Sequence, residues 1–380
     1  MTNVPEMRFM RFIDAWTQRK LGEVCGNFKS GNTITADSIF DVGEYPVYGG
    51  NGLRGYTDNF THDGDFVLIG RQGALCGNIN TVSGKVYISE HAVAISENEI
   101  SSIDYLEQLL SKLQLNRFSE SSAQPGLSVD KLKKIDAYIP SKPEQAAIGT
   151  FFLTFDDILA ATQRKVVGLK QLKAAYLQQM FPQAGEHVPR IRFEGFTGDW
   201  ENKKLGEVST VEMCRRIFKE ETSSTGDVPF YKIGTFGGKP DAYISQSIFD
   251  EYKTKYSYPE IGDILISASG TIGRTVTYQG EKAYFQDSNI VWLNTNKEQL
   301  ANIFLQQFYQ IAKWSGIEGT TIKRLYNSNI LDTNIALPAI REQTAIGNFF
   351  CNFNVQITTQ SEKLEKLKQL KSAYLQKMFI

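Results

Sequence analysis

Two stretches of the chain place an apolar side chain at every third or fourth position. Val166, Leu169, Leu172, Tyr176 and Met180 form one stripe, and Leu364, Leu367, Leu370, Tyr374 and Met378 form the other. This period predicts two amphipathic helices whose stripes pair with each other. Thr154 followed by Asp156 and Asp157 has the form of an N-cap with an acidic first turn, so the first long helix is expected to start there. It then runs to Phe181, about 28 residues or about 42 Å, with residues 143–153 as a separate short helix. Elsewhere the pattern changes to short β-rich runs such as 86–89 and 289–293, broken by Gly, Asn and Asp. Each such region carries one further amphipathic helix. Ile103, Leu106, Leu110 and Leu113 follow Ser101 and Ser102 as a cap, and Leu300, Phe304, Phe308 and Ile311 follow Asn296 in the same way. The expected fold class is therefore α+β: two globular bodies, plus two long helices in antiparallel, coiled-coil pairing.

The helices repeat, and so does what surrounds them. Residues 140–181 and 338–379 align without a gap, and half of their positions are identical. Both open on Glu-Gln, at Glu144-Gln145 and Glu342-Gln343, and both close on Leu-Lys-Gln-Leu-Lys-x-Ala-Tyr-Leu-Gln-x-Met-Phe. Val4, Pro5, Arg8, Phe9, Phe12 and Trp16, leading to Lys20-Leu21-Gly22-Glu23-Val24, recur as Val188, Pro189, Arg192, Phe193, Phe196 and Trp200, leading to Lys204-Leu205-Gly206-Glu207-Val208. The organisation is a linker at 1–16, a body at 17–139, a helical segment at 140–185, and then a second linker at 186–200, a second body at 201–337 and a second helical segment at 338–380. The bodies share only punctuation, such as Gly64-Asp65 and Gly262-Asp263 before apolar strands. Joining the ends of the chain would complete the same circular pattern, which places Ile380 near the amino terminus if the helices are antiparallel.

Composition removes several classes. The chain has 380 residues, a formal net charge of −1 and 41% hydrophobic residues, which excludes disorder and a polybasic coat but leaves room for a local basic face. Cys25, Cys76, Cys214 and Cys351 stand far apart, as do His62, His91 and His187, so neither a zinc knuckle nor a disulfide framework is expected. No leader and no membrane span is read, and a reduced, cytoplasmic protein is expected. Gly84-Lys85 continues to Val86 and Gly238-Lys239 to Pro240, so no phosphate-binding loop is present. Glu90-His91 lacks a partner histidine in the sequence and reads as structural or as part of the surface. No catalytic residue and no metal ligand is assigned.

The remaining signals suit binding. Tyr48, Gly49, Gly50, Asn51, Gly52 and Arg54 form a glycine-rich run that is either a hairpin turn or a loop close to phosphate, with Arg54 able to fork onto guanine and Asn51 to pair with adenine. Arg71 and Gln72 after the first Gly-Asp strand match Ser269, Thr271 and Arg274 after the second, as a bulge or as a nucleic-acid loop. Ser121, Ser122 and Gln124 stand in register with Thr320, Thr321, Lys323 and Arg324, groups that contact phosphates and base edges or simply cap a loop. Arg215, Arg216 and Lys232 add positive charge to the second body.

Taken together, the duplicated Pro-x-x-x-Glu-Gln-x-Ala-Ile, the duplicated Leu-Lys-Gln-Leu-Lys helix ending and the Arg-Phe-x-x-Phe linker resemble the specificity subunit of type I restriction-modification enzymes across essentially the whole chain. Met10-Arg11 departs from the usual linker pattern, whereas the second copy has Glu194-Gly195. The resemblance implies two target-recognition domains in pseudo-twofold repeat, each reading half of a bipartite site in double-stranded DNA, with the helices setting the spacer. It further implies a subunit without catalysis or bound cofactor. Two methyltransferase subunits would bring S-adenosylmethionine for adenine methylation, and nuclease-motor subunits would bring ATP and Mg²⁺. A one-chain restriction enzyme and a coiled-coil protein with ligand-binding heads are the competing classes.

Overall fold

The computed structural model describes residues 3–73, 75–119, 126–314 and 324–380. Ser121, Ser122, Gln124, Thr320, Thr321 and Lys323 lie outside the described residues. The chain divides into two compact units, residues 1–164 with 361–380 and residues 165–360.

In unit 1, β1 (Thr17–Lys20) and α1 (Leu21–Val24) precede β2 (Phe28–Ser30), β3 (Tyr45–Gly49), β4 (Gly52–Thr57), β5 (Phe66–Gly70), β6 (Ile79–Val82), β7 (Tyr87–Ile88) and β8 (Ala92–Ile95). Then come α2 (Ile103–Leu113), α3 (Val129–Lys133), β9 (Asp136–Ile139) and the start of α4 (Lys142–Gln179). The strands form a β1-β9 pair, a four-stranded sheet ordered β2-β8-β5-β6 and a three-stranded sheet ordered β4-β3-β7. Strand β5 explains why one body has two cores. It is buried on both faces, and because side chains alternate along a strand, Val67 and Ile69 enter the core with Trp16, Leu106 and Leu110, while Phe66 and Leu68 enter the core with Val86 and Ile88.

Unit 2 repeats this plan. Its elements are β10 (Glu201–Lys204), α5 (Leu205–Val208), β11 (Ser209–Glu212), β12 (Val228–Tyr231), β13 (Tyr243–Ile244), α6 (Gln246–Lys255), β14 (Ile264–Ser267), β15 (Thr275–Thr277), β16 (Tyr284–Phe285), β17 (Ile290–Thr295), α7 (Asn302–Phe308), α8 (Asn327–Leu331), β18 (Asn334–Leu337) and the first part of α9 (Ile340–Met378). The sheets are β10-β18, β11-β17-β14-β15 and β13-β12-β16. Strand β14 plays the part of β5, with Ile264 and Ile266 in one core and Leu265 in the other. Helix α6 is an addition that the apolar pattern does not predict; Ser245 caps it by accepting the Ile248 amide at 3.3 Å.

The repeated Glu-Gln pair fixes where each long helix begins. Arg8 forks onto Glu144 at 2.6 and 2.7 Å, and Arg192 onto Glu342 at 2.7 and 2.8 Å, both carboxylates being almost fully buried. Next to them, the Gln145 amide donates to Ile100 O and Pro140 O and accepts from the Ser102 amide. Gln343 donates to Gln299 O and Pro338 O and accepts from the Ala301 amide. Each body is thus tied to its helix through main-chain atoms. Equivalent aromatic knots close the other side: Phe379 stacks on Tyr105 at 5.5 Å and meets Trp16 edge-on, as Phe181 stacks on Phe304 at 5.1 Å and meets Trp200. Met7 N donates to Lys377 O in unit 1, which brings the first linker to the end of α9, and Ile191 N donates to Gln179 O in unit 2.

Three expectations need correction. Residues 143–153 are not a separate helix: α4 runs unbroken for 38 residues, about 57 Å at the α-helical rise. Thr154 caps nothing, because its hydroxyl donates back to Thr150 O within the helix. Asn296 does not cap α7, which starts at Asn302; its side chain accepts the Glu298 amide in the preceding turn. Leu172 and Leu370, 46% and 47% exposed, lie outside the helix seam. Their neighbours Lys173 and Lys371 occupy it. Within each unit α4 and α9 run antiparallel: Phe151 and Phe155 meet Tyr374 in unit 1, and Tyr176 meets Phe349 and Phe353 in unit 2. Val166 and Leu364 are buried, and Leu169 and Leu367 are half-buried.

Candidate nucleic-acid interface

In unit 1 the candidate residues gather at one end of the central sheet. Strands β3 and β4 form a tight hairpin in which Gly49 pairs with Gly52, with Gly50 and Asn51 at the turn. Gly50 is there for packing: a Cβ would stand 2.7 Å from Gly70 Cα and 2.8 Å from His91 O. Gly49 is likewise buried, and Tyr48 packs half-buried against the core around Ile88. Gly52 has φ +98°, with none of the described residues within 4 Å of where a Cβ would stand, while Asn51 and Arg54 are exposed. Of this run, Asn51 and Arg54 are the residues with fully exposed polar side chains.

The loop between β5 and β6 lies beside that hairpin. Arg71 N donates to His91 O at 2.9 Å, and Arg71 O accepts Leu127 N at 2.9 Å, so the loop is clamped on both sides by main chain. The Arg71 guanidinium turns back into the body and donates to Ser30 Oγ at 2.8 Å. Gln72 points outward, its Oε1 3.2 Å from His91 Nδ1. Unit 2 builds the same clamp with other residues: Ala268 N donates to Asn289 O, and Ala268 O accepts Leu325 N, both at 2.8 Å. By these bonds Arg71 corresponds to Ala268 and not to Arg274. The two arginines stand at opposite ends of equivalent loops, and Arg274 is exposed, with Nη2 3.3 Å from Gly237 O.

Around the second clamp, Ser269 Oγ donates to Asn289 Oδ1 at 2.7 Å, and Arg324 lies over the exposed Tyr326 ring with Nη2 3.4 Å from Ser288 O. Thr271 is exposed at the loop tip. The other predicted cations are already engaged: Arg216 pairs with Asp287 and Lys232 with Asp241, each at 2.9 Å, and Arg215 lies over Tyr256. His91 and Asn289 hold each clamp together through their main-chain oxygens; the sequence drew notice to His91 only as part of Glu90-His91, and to Asn289 not as a site residue. No short motif marks them; only the duplicated position does.

The described residues contain no group of three or more side chains able to hold a metal ion, and no helix is long and apolar enough to cross a membrane. Burial pushes the thiols of Cys25 and Cys214 up to about 12, which makes both poor nucleophiles.

Two copies of one α+β design, each closed by a long helix, define a duplicated recognition module. The family model for the type I restriction modification DNA specificity domain matches residues 13–171 and 197–369, and the chain belongs to that family. It is 38% identical over 354 residues to a putative type I restriction enzyme specificity subunit of Haemophilus influenzae, covering 91% of this chain and 89% of that one. Over 145 residues it is 40% identical to the EcoprrI specificity subunit of Escherichia coli, 37% of this chain and 36% of the other. Its fold matches the crystal structure of the type I restriction-modification S subunit from M. genitalium with a TM-score of 0.68, at 15% identity and 99% coverage of both chains. The chain is a specificity subunit, the non-catalytic component of a type I system, with two DNA specificity domains.

Proposed function

We propose that each body is a target-recognition domain reading one half of a bipartite site in double-stranded DNA, and that α4 and α9 set the unspecified spacer and dock two methyltransferase subunits. So assembled, the subunit directs adenine methylation, or restriction when nuclease-motor subunits join. S-adenosylmethionine, ATP and Mg²⁺ act in those partners, and the complex works in the cytoplasm. The carrying observation is that one scaffold occurs twice in the chain with different side chains at the equivalent clamps. Identical frames with unlike readers suit a target whose halves differ, in the way dimeric readers suit palindromes.

Mapping methylated adenines across the genome of cells expressing the methyltransferase subunit with and without this chain tests the reading. The expected result is one motif with two specified halves around a fixed unspecified gap, present only with the chain. A single uninterrupted motif, or methylation independent of the chain, overturns it.

A further inference from the structure

The two clamps bring three backbone positions together in each unit. In unit 1, residues 72 and 126 form a bridge and His91 lies alongside; in unit 2, residues 269 and 324 form the matching bridge and Asn289 lies alongside. The positions are thus equivalent pairwise: Gln72 with Ser269, His91 with Asn289 and Gly126 with Arg324. The main chain is the same in both, whereas the side chains differ in every pair. All three places lie on a clamped loop edge, with Gln72 and His91 exposed and Ser269, Asn289 and Arg324 half-exposed. Ser288, the residue before Asn289, has φ +59°, a left-handed conformation that a non-glycine residue rarely adopts.

We infer that these three paired positions are specificity-determining contacts with base edges, an inference that rests on the DNA-reading function proposed above. A rigid main chain with interchangeable side chains is what reading unlike half-sites with one scaffold requires. Arg324 carries a planar fork of donors that matches guanine O6 and N7 in the major groove, and the Asn289 amide matches adenine N6 and N7. In the first body, Gln72 offers the same amide pattern as Asn289 from the neighbouring position, and Gly126 offers no side chain at all. The second half-site therefore contains a guanine read by Arg324 that has no counterpart opposite residue 126 in the first.

Gly126 makes the inference testable by gain as well as loss. Among the described residues, a Cβ there would meet nothing closer than Arg71 O at 4.0 Å, and the residue has no left-handed φ, so its backbone accepts an arginine. The full chain, in complex with its methyltransferase subunits, is used to select duplexes from a pool in which both half-sites are randomised. R324A is expected to lower the preference for one guanine in the second half-site about tenfold to a hundredfold and to leave the first half-site unchanged; G126R is expected to create a guanine preference of similar size in the first. Preference is a ratio within one pool, so it does not depend on how much of a variant is folded. If R324A recovers no duplexes, R324K, which keeps the charge and loses the fork, is read in the same way. Unchanged preferences, or binding weakened equally for all sequences, overturn the inference and leave the bipartite reading standing. Failure of the wild-type complex to enrich any two-part motif overturns both.

Discussion

In unit 1 the seam lysine, Lys371, meets a carboxylate, Asp156 Oδ1, at 2.5 Å. In unit 2 its repeat equivalent, Lys173, meets two amides, Gln310 Oε1 at 2.8 Å and Asn354 Oδ1 at 2.7 Å. Asn354 is the repeat equivalent of Asp156, so one substitution separates an ion pair from a charge held by neutral acceptors. Burial lowers the pKa of Lys173, with no carboxylate against it to offset the lost hydration. A few residues away, the Arg8–Glu144 and Arg192–Glu342 forks are the same in type, geometry and burial. Contacts that tie a body to its helix are duplicated faithfully, as are the Phe151, Phe155–Tyr374 and Phe349, Phe353–Tyr176 contacts between the helices, whereas the partner of the seam lysine has diverged. Repetition therefore separates what the scaffold demands from what it tolerates.

Lengthening α4 is the harshest disturbance of this arrangement. Four residues inserted near Val166 add about 6 Å of helix, and on the proposed function they change the tolerated spacer while both half-sites stay intact. Methylation of the original sites should fall to background, and an unchanged gap would remove the helices from spacer setting. Next come the shared cores. Phe152 and Phe350 are equivalent and fully buried, so F152A and F350A should each cost about 3–5 kcal/mol in denaturant unfolding. A large loss in one unit only would show that the repeats are not equally packed.

Removing one partner of a nearly buried fork strands the other charge. E144A and E342A are therefore expected to cost about 3 kcal/mol each, again by equal amounts. Arg71→Ala and Arg274→Ala should behave differently from each other. If either arginine reads a base, its loss costs about 1–3 kcal/mol of preference at one position. Arg71→Ala additionally lowers stability, because its guanidinium is bonded inside the body at Ser30, which Arg274→Ala does not.

The smallest effect tests the seam itself. The lowered pKa of Lys173 means that the unfolded chain binds its proton more tightly than the folded one. The cost of charging the folded state is fully present below the depressed pKa and disappears as pH rises towards the ordinary lysine value. The Lys173 contribution should therefore rise across that alkaline window, and it is read as the difference from N354D, because burial of Cys214 and Tyr309 raises their pKa values and lowers the stability of unit 2 in both chains alike over the same range. N354D supplies the missing carboxylate, should remove the gain and adds at most about 1 kcal/mol near neutrality. Tryptophan fluorescence, which Trp200, Trp292 and Trp314 weight towards unit 2, follows the transition. Identical pH responses of the unsubstituted chain and N354D would mean that the amides already compensate the buried charge.

The duplication and the α+β class were legible because identical residues at a fixed spacing and alternating apolar runs are properties of the chain itself. The start of α4 was not legible. Thr154, Asp156 and Asp157 have the chemistry of a cap, yet an exposed threonine can satisfy its hydroxyl inside a helix, as it does on Thr150 O. The seam lysines escaped because an apolar stripe counts leucines, and Leu172 and Leu370 sit one position away from the buried line. At the candidate interface, the hairpin at Gly50 was readable from Gly-Asn-Gly. The clamp at His91 and Asn289 was not, since its bonds join main-chain atoms from distant stretches that carry no motif.

The bonds of Gln145 and Gln343 reach main-chain groups only, at residues 100, 102 and 140 and at 299, 301 and 338. Peptide groups look alike whatever side chain they carry. A replacement body that brings its backbone to the two body-side points of either set, and an aromatic ring to the place of Tyr105 or Phe304, would meet the same grip from an unaltered holder.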